Sequence, residues 1–560
     1  MIGRLKRGWF ALFALAAALT VTLSNCGTAP TQNAANPSGN PSGNPGGSPA
    51  AQTDASTLVF GSVGDPVTLE SGNVTDGYSV AVQQQIYDRL LDAKPGTTDL
   101  VPALATEYSA SADGRTWTFK LRDGVKFHDG TPFNAEAVRF NVNRWWDEKD
   151  PNSFRDGGKT YETWVSLFGG FKGSPDSLLQ EIQVVDPTTI RFVLKEPFAA
   201  FPAAIASGYF GIASPDAVKK AGGDYGIAGS PAIGTGPYRL KEWRTGDRVI
   251  LEKNPDYWQA GLPKTDQVVF RTIKEASSRL AELRAGTIDF TENLSPQQIQ
   301  EIQSDSNLKE LRRPSFNTGY LALNPAYEPL SKKEVRQAIA MAIDRKQLVE
   351  AFWSGLGTVD SHFTPPSMKE FQDASLGNYE YNPDKAKKML ADAGYPNGFD
   401  LEVWYAPING ASFPNPKPTA EAWAAELSSI GIRVKLNTKD WAAYLADRLK
   451  SPGYQAFMLG WTGDYGDPDN FFYPHFGKGS TTDIGNWKND RVFSLLQQAR
   501  STPNQDDRAK MYAEVDKILF EEAVRIPMVH AEPLLAQRSN LSGWTPSPFG
   551  SESFANITKQ

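Results

Sequence analysis

The chain has 560 residues, a net charge of −7, 11% aromatic residues and a single cysteine. This length exceeds what one hydrophobic core supports, so at least two folded lobes are expected. The acidic balance and the lack of a basic stripe argue against a nucleic acid partner, and a single cysteine excludes an internal disulfide.

The N-terminal residues predict a secretory signal. Arg4, Lys6 and Arg7 form a short basic start. The stretch from Trp9 to Leu23 then carries no charge. This is the n-region and h-region pattern of a signal peptide, and the run falls short of the ~20 residues that a transmembrane helix needs. We therefore predict that residues 1–25 are a signal peptide and that the protein is exported.

Cys26 lies close behind this apolar run. The string from Leu23 to Cys26 resembles the bacterial lipobox, whose cysteine is acylated and becomes the new N-terminus. Asn25 departs from that pattern, in which Gly, Ala or Ser is usual before the cysteine. The alternative is a free thiol, which is unusual in an exported protein. We predict that Cys26 is lipidated and anchors the protein in the periplasm or at the outer face of the cytoplasmic membrane.

Residues 26–56 are predicted to be a disordered tether. The turn-forming pattern Asn-Pro-Ser-Gly repeats between Asn36 and Pro45, and no charged residue occurs between Arg7 and Asp54. Such a segment has too little apolar surface to fold. A flexible chain of this length spans about 30 Å, which separates the folded body from the lipid surface.

Strands are predicted where apolar residues alternate with polar ones. Residues 116–121 alternate in this way, and turn signals at Asp113-Gly114 and Asp123-Gly124 enclose them. The same alternation recurs at residues 190–194 and again at Val249 and Leu251.

Helices are predicted where apolar residues recur at helical spacing. A capping box at Ser331 to Glu334 precedes one helix, and Asn382-Pro383 begins a second, which Gly394 ends. Met511, Val515, Ile518 and Leu519 mark a third. Strands mixed with helices over this length indicate an α/β protein with more than one lobe.

Four long segments together resemble the family 5 extracellular solute-binding proteins of ABC importers, which capture dipeptides and oligopeptides. In chain order they are GRTWTFKLRDGVKFHDG at 114–130 with FNAEAV at 133–138, GTGPY at 234–238 with NPDYW at 254–258, VRQAIAMAIDR at 335–345, and WTGDYGDPDNF at 461–471. The resemblance covers nearly all of the chain from residue 57 to residue 560.

The resemblance implies a two-lobed periplasmic-binding-protein clamp with an extra α/β subdomain in the first lobe, which closes by hinge motion. Hinges between the lobes are expected near 319–321 and 527–529. The predicted segments are 57–95, 226–320 and 531–560 for lobe I, 96–225 for its extra subdomain, and 321–530 for lobe II.

The resemblance also implies ligand-binding residues. In dipeptide binders the first aspartate of the Trp-Thr-Gly-Asp loop binds the α-ammonium of the ligand, and this residue is Asp464 here. Asp467 and Asp469 are interpreted as turn formers. Dipeptide binders carry an arginine for the ligand carboxylate in the loop that matches residues 404–419, where this chain has only Lys417 as a basic residue. Longer peptides are therefore as compatible with the sequence as dipeptides.

Aromatic residues are candidates for the walls of the ligand cleft. Tyr465 lies within the acidic loop, and Tyr78 follows the first strand, roughly where the family has a cleft residue. Trp461 and Trp441 fit either a cleft wall or a core position.

The predicted role is capture without chemistry. The sequence lacks the Gly-x-Ser-x-Gly and His-Glu-x-x-His motifs of hydrolases and clustered metal ligands, so we expect no catalytic residue, cofactor or metal. The expected partners are a peptide, the ABC permease with its ATPase subunits, and the membrane through the lipid anchor, with the protein a monomer. An oligosaccharide or another small solute remains the alternative ligand; nickel and haem fit less well.

Overall fold

The computed structural model describes residues 56–407, 410, 412–450, 452–478 and 487–560. The predicted signal peptide, Cys26 and the predicted tether up to residue 55 lie outside the described residues. Within them the chain forms three main sheets with helices between the strands, which confirms the mixed α/β fold.

The first sheet has seven strands and contains the first strand of the described chain. Its strand Thr57–Ser62 runs parallel to both neighbours, and the other pairs are antiparallel. In spatial order the strands are Leu308–Arg312, Leu534–Arg538, Phe290–Leu294, Thr57–Ser62, Gln267–Thr272, Arg248–Lys253 and Tyr238–Arg244.

The second sheet has six strands, and its strand Asn317–Leu323 is buried at every position. That strand pairs antiparallel with strands on both sides. In spatial order the strands are Gly357–Thr358, Arg525–Ala531, Asn317–Leu323, Ala456–Thr462, Asp400–Trp404 and Arg433–Asn437.

The third sheet has four antiparallel strands. In chain order they come after Thr57–Ser62 and before Tyr238–Arg244, both of which belong to the first sheet. Phe119 and Phe192 on its inner face pack against Phe201, with ring centroids 6.4 and 5.1 Å apart. The strands are, in spatial order, Ala105–Ala110, Thr116–Leu121, Thr189–Leu194 and Leu179–Asp186, and two short pairs lie elsewhere at Leu91–Ala93 with Leu100–Pro102 and Leu541–Ser542 with Thr558–Lys559.

Helices connect these strands, and none that the structure describes is both long and apolar enough to cross a bilayer. The α-helices are Gly77–Ile86, Ala135–Trp146, Glu162–Phe168, Phe201–Ile205, Pro215–Ala221, Ala276–Ala285, Ile299–Gln303, Lys333–Met341, Arg345–Trp353, Pro383–Asp392, Pro416–Ser429, Trp441–Asp447, Asp469–Phe476, Asp490–Ser501 and Gln505–Glu522. Short 3₁₀ turns lie at Arg155–Gly157, Gly222–Asp224, Pro296–Gln298 and Pro366–Phe371.

Strands and helix caps were predicted correctly where the pattern lies within a few consecutive residues. The strand at residues 116–121 is confirmed, and the Asn382 side chain caps its helix by accepting a hydrogen bond from the Lys385 backbone at 3.0 Å. The predicted capping box at Ser331 is wrong. The helix begins at Lys333, one residue later than the box predicts, without a side-chain cap, and the Ser331 hydroxyl donates to the Glu328 carboxylate.

The chain passes between the first and second sheets at residues 313–316 and 532–533. The hinges predicted near 319–321 and 527–529 are close to these passages, inside paired strands in which Tyr320 is opposite Pro527. The exact bounds of the lobes stay a prediction.

Candidate ligand-binding site

Asp464 lies in the segment from Gly463 to Asn470, called here the acid loop, which follows a central strand of the second sheet and ends in the first two residues of the helix Asp469–Phe476. The backbone N–H of Asp464 donates to Asn470 Oδ1 at 2.8 Å, and Asn470 Nδ2 donates back to Asp464 Oδ2 at 3.2 Å. The hydroxyl of Tyr209, from the chain segment that forms the third sheet, lies 3.4 Å from Asp464 Oδ1. These contacts fix the orientation of the carboxylate.

The Asp464 carboxylate has no cationic partner within 4.0 Å among the described residues. Burial raises the pKa of this carboxyl above its ordinary value, and the hydrogen bonds from Asn470 and Tyr209 offset only part of that rise. A buried acid without a counter-charge is costly for a protein to keep. Such a group marks a candidate site for a cation from outside the chain.

Asp464 borders a cavity of about 60 Å³, called here the small cavity. Its wall combines the acid loop with segments associated with the first and third sheets. The lining residues are Gly77, Val80, Gly208, Tyr209, Gly463, Asp464, Phe549, Gly550 and Ser551. Because four of these nine residues are glycines, backbone atoms form much of the surface and allow close approach.

Two buried ion pairs hold the acid loop from behind. Asp467 receives two hydrogen bonds from Arg508, at 2.6 and 2.8 Å. Asp469 lies 3.3 Å from Arg500, and burial raises the pKa of its carboxyl. The sequence interpreted both aspartates as turn formers; the structure shows that they are also paired to arginines, and these pairs fix the position of the loop that carries Asp464.

Tyr465 is 4% exposed, and its side chain packs among the apolar residues of the third sheet. Its hydroxyl donates to Asp469 Oδ2 at 3.1 Å. Near it, the ring of Phe198 lies 4.7 Å from the Arg500 guanidinium, and the Ala199 N–H donates to the Arg500 carbonyl at 2.7 Å. Tyr465 therefore joins the acid loop to the third sheet.

Trp461 and Trp441 are half-buried around the core of the second sheet. The Trp461 ring contacts His475 with ring centroids 4.7 Å apart, and its indole N–H has no acceptor among the described residues. Trp441 stacks on Tyr444 at 5.8 Å. Neither tryptophan borders the small cavity.

Tyr78 borders a second, larger cavity of about 640 Å³, called here the large cavity. The first-sheet segments contribute one part of its wall, formed by Val63, Tyr78, Lys274, Ala276 and residues 293–297. The second-sheet segments contribute Trp353, Leu356, Gly410, Pro414 and Asn415, and residues 531–534 complete the lining. Burial and the nearby Glu292 carboxylate raise the pKa of the Tyr78 hydroxyl.

Lys417 borders neither cavity. Its side chain is 66% exposed, and its ammonium lies 3.8 Å from the carboxylate of Glu421, one helical turn away.

The sequence analysis missed Tyr209 and Asn470, which contact Asp464 directly. Asn470 lies within the recognised motif and could have been found there, whereas nothing in the sequence around Tyr209 indicates the contact.

The described residues contain no group of three or more His, Cys, Asp or Glu side chains that could hold a metal ion. The site is therefore an arrangement of hydrogen-bonding groups and one unpaired acid.

A family model described as bacterial extracellular solute-binding proteins, family 5 middle, matches residues 99–483. The chain belongs to this family. Its members are solute-binding proteins, and an exported location follows from that membership.

The relatives of this family 5 protein are named for different ligands. The chain is 33% identical to heme-binding protein A of Haemophilus influenzae, with 91% of this chain and 94% of that protein covered. It is 32% identical to the dipeptide-binding protein of Escherichia coli K12, with 91% and 95% covered. A dipeptide-binding protein of Pseudoalteromonas sp. SM9913, solved with Met-Leu, is 29% identical and superimposes with a TM-score of 0.72 over 90% of this chain and 100% of that one.

Proposed function

We propose that this protein captures short peptides for an ABC importer and that Asp464 binds the α-ammonium group of the peptide. The unpaired, largely buried carboxylate of Asp464 carries this proposal. An ammonium group that enters a closed site loses its hydration, so it needs a fixed opposite charge and acceptor oxygens. Asp464 supplies both, and Asn470 and Tyr209 hold it in place.

The peptide ligand also agrees with two of the relatives, which are named for dipeptides, one of them solved with Met-Leu. In this proposal the peptide lies between the segments of the first and second sheets, where both cavities occur. The loaded protein then delivers it to a permease and its ATPase subunits without changing it chemically.

Peptide binding can be measured directly by titration calorimetry. We expect saturable binding of one peptide per protein for at least one of dialanine, trialanine and tetraalanine. Mass spectrometry of ligands that remain bound through purification should identify peptides. Binding of an oligosaccharide, with no heat from any of the three peptides, would contradict the proposal.

Haem is a second candidate because the relative that is 33% identical is named for it. The described histidines do not favour this ligand. His128 is half-buried and His530 fully buried, each with a backbone carbonyl partner. His362 contacts Asp516, and His475 packs between aromatic rings. A haem titration that produces a Soret shift with one equivalent, and is unaffected by excess trialanine, would favour haem over peptides.

We also propose that Cys26 is lipidated and holds the protein at the membrane. The support is its position directly after the apolar run and before a charge-free stretch. Cys26→Ser should move the protein from the membrane fraction to the soluble fraction, because one acyl-bearing residue supplies the anchor. Fractionation followed by immunoblotting measures this, and unchanged membrane association of Cys26→Ser would contradict it.

A further inference from the structure

One guanidinium group organises a wall of the large cavity. Arg279 is 2% exposed and lies on the helix Ala276–Ala285. Its Nη1 donates to the carbonyls of Ile273 and Lys274 at 2.8 and 2.7 Å, and its Nη2 donates to the carbonyl of Asn293 at 2.8 Å. The buried Arg279 guanidinium thus holds the backbone of residues 273–274 and the backbone of Asn293 next to each other.

Asn293 has a backbone conformation that requires such support. Its φ angle is +51°, in the left-handed region that asparagine tolerates better than most residues but that still costs free energy. Outliers of this kind persist where the surroundings fix them, and they cluster at ligand sites. The Asn293 side chain is exposed at the large cavity and makes no hydrogen bond to another described residue.

Lys274 is the only cationic residue among the described residues that line the large cavity. Its ammonium has no acidic partner among the described residues. Glu532, the acid that lines the same cavity, lies 3.7 Å from Arg312, and Glu292 lies 2.8 Å from Arg313. The Lys274 ammonium is therefore available to an anionic group from outside the chain.

We propose that Lys274 and Asn293 form an anion-binding subsite that holds the terminal carboxylate of the peptide. This inference rests on the proposed function and assigns the second end of the same ligand. The lysine supplies the opposite charge, the asparagine amide supplies a hydrogen-bond donor, and Arg279 is a positioning residue that fixes both backbones. In this proposal the cation that binds the peptide carboxylate belongs to the first-sheet segments and not to residues 404–419. The only basic residue of that range, Lys417, is paired with Glu421.

The test compares a peptide acid with its C-terminal amide. The probe is the tightest binder among dialanine, trialanine and tetraalanine, and calorimetry gives the dissociation constants. Wild type should bind the acid about tenfold more tightly than the amide, because a charge-assisted hydrogen bond is lost on amidation. Lys274→Gln should bind the acid about tenfold more weakly than wild type and should no longer distinguish acid from amide. Asn293→Gly, which keeps the left-handed backbone accessible, should weaken the acid severalfold.

Lys241→Gln is the matched control, because Lys241 is an exposed lysine of the first sheet that borders neither cavity. It should keep the wild-type preference for the acid. If Lys274→Gln keeps that preference too, the subsite is disproved. The proposed function fails separately: it fails if no peptide binds, or if N-acetylation leaves binding to wild type unchanged.

Discussion

Asp464→Ala is expected to weaken peptide binding by two to three orders of magnitude. In the complex the carboxylate and the ammonium are both desolvated, so removing one leaves the other buried and unpaired. That situation costs about 3–5 kcal/mol, and about 1.4 kcal/mol corresponds to a tenfold change in affinity. Calorimetry with the tightest-binding alanine peptide measures the effect.

N-acetylation converts the α-ammonium of the peptide into a neutral amide and so removes the same contact with Asp464. Wild type should bind the acetylated peptide poorly, and acetylation should cost little further affinity in Asp464→Ala, because the two changes are coupled. Asp400→Ala is a suitable control, since that side chain is 83% exposed on the second sheet. Equal binding of free and acetylated peptide by wild type would show that Asp464 is only a loop residue.

Arg508→Met should lower the free energy of unfolding by about 3–5 kcal/mol, because it leaves the buried Asp467 carboxylate without its partner. The long apolar side chain of methionine keeps most of the volume, so the loss reports the charge rather than a cavity. Urea denaturation followed by circular dichroism measures the shift.

The neighbouring pair of Arg491 and Glu514 provides the control. It joins two adjacent helices, with Arg491 Nε 2.6 Å from Glu514, but both side chains are substantially exposed. Exposed pairs contribute little, so Arg491→Met should leave the urea midpoint unchanged. If both variants shift the midpoint equally, the Arg508 pair has no special role in holding the acid loop.

Elements with a local signal could be predicted from the sequence. Alternation at residues 116–121 and the Asn382 cap each depend on a few neighbouring residues, and the structure has both. The mixed α/β class followed from the same local patterns. Ser331 shows the limit of this approach, since the helix starts one residue later than the capping pattern predicts and the Ser331 hydroxyl donates to Glu328.

Contacts between distant residues could not be predicted in the same way. Asp467 is 41 residues from Arg508, and Asp464 is 255 residues from Tyr209, so nothing near either aspartate in the sequence indicates its partner. The basic residue that lines the large cavity could not be predicted either. Lys417 lies in the expected loop but faces solvent, whereas Lys274 reaches the large cavity from a segment without a motif.

The buried position of Tyr465 has a consequence for how long a ligand stays bound. Separating the acid loop from the third sheet would expose this ring to water, and full exposure of a side chain of that size costs about 2 kcal/mol. Such a cost lengthens the residence time of a bound ligand about thirtyfold when dissociation requires that separation. In the proposed function, unloading would then be fast only where the permease draws the acid loop away from the third sheet.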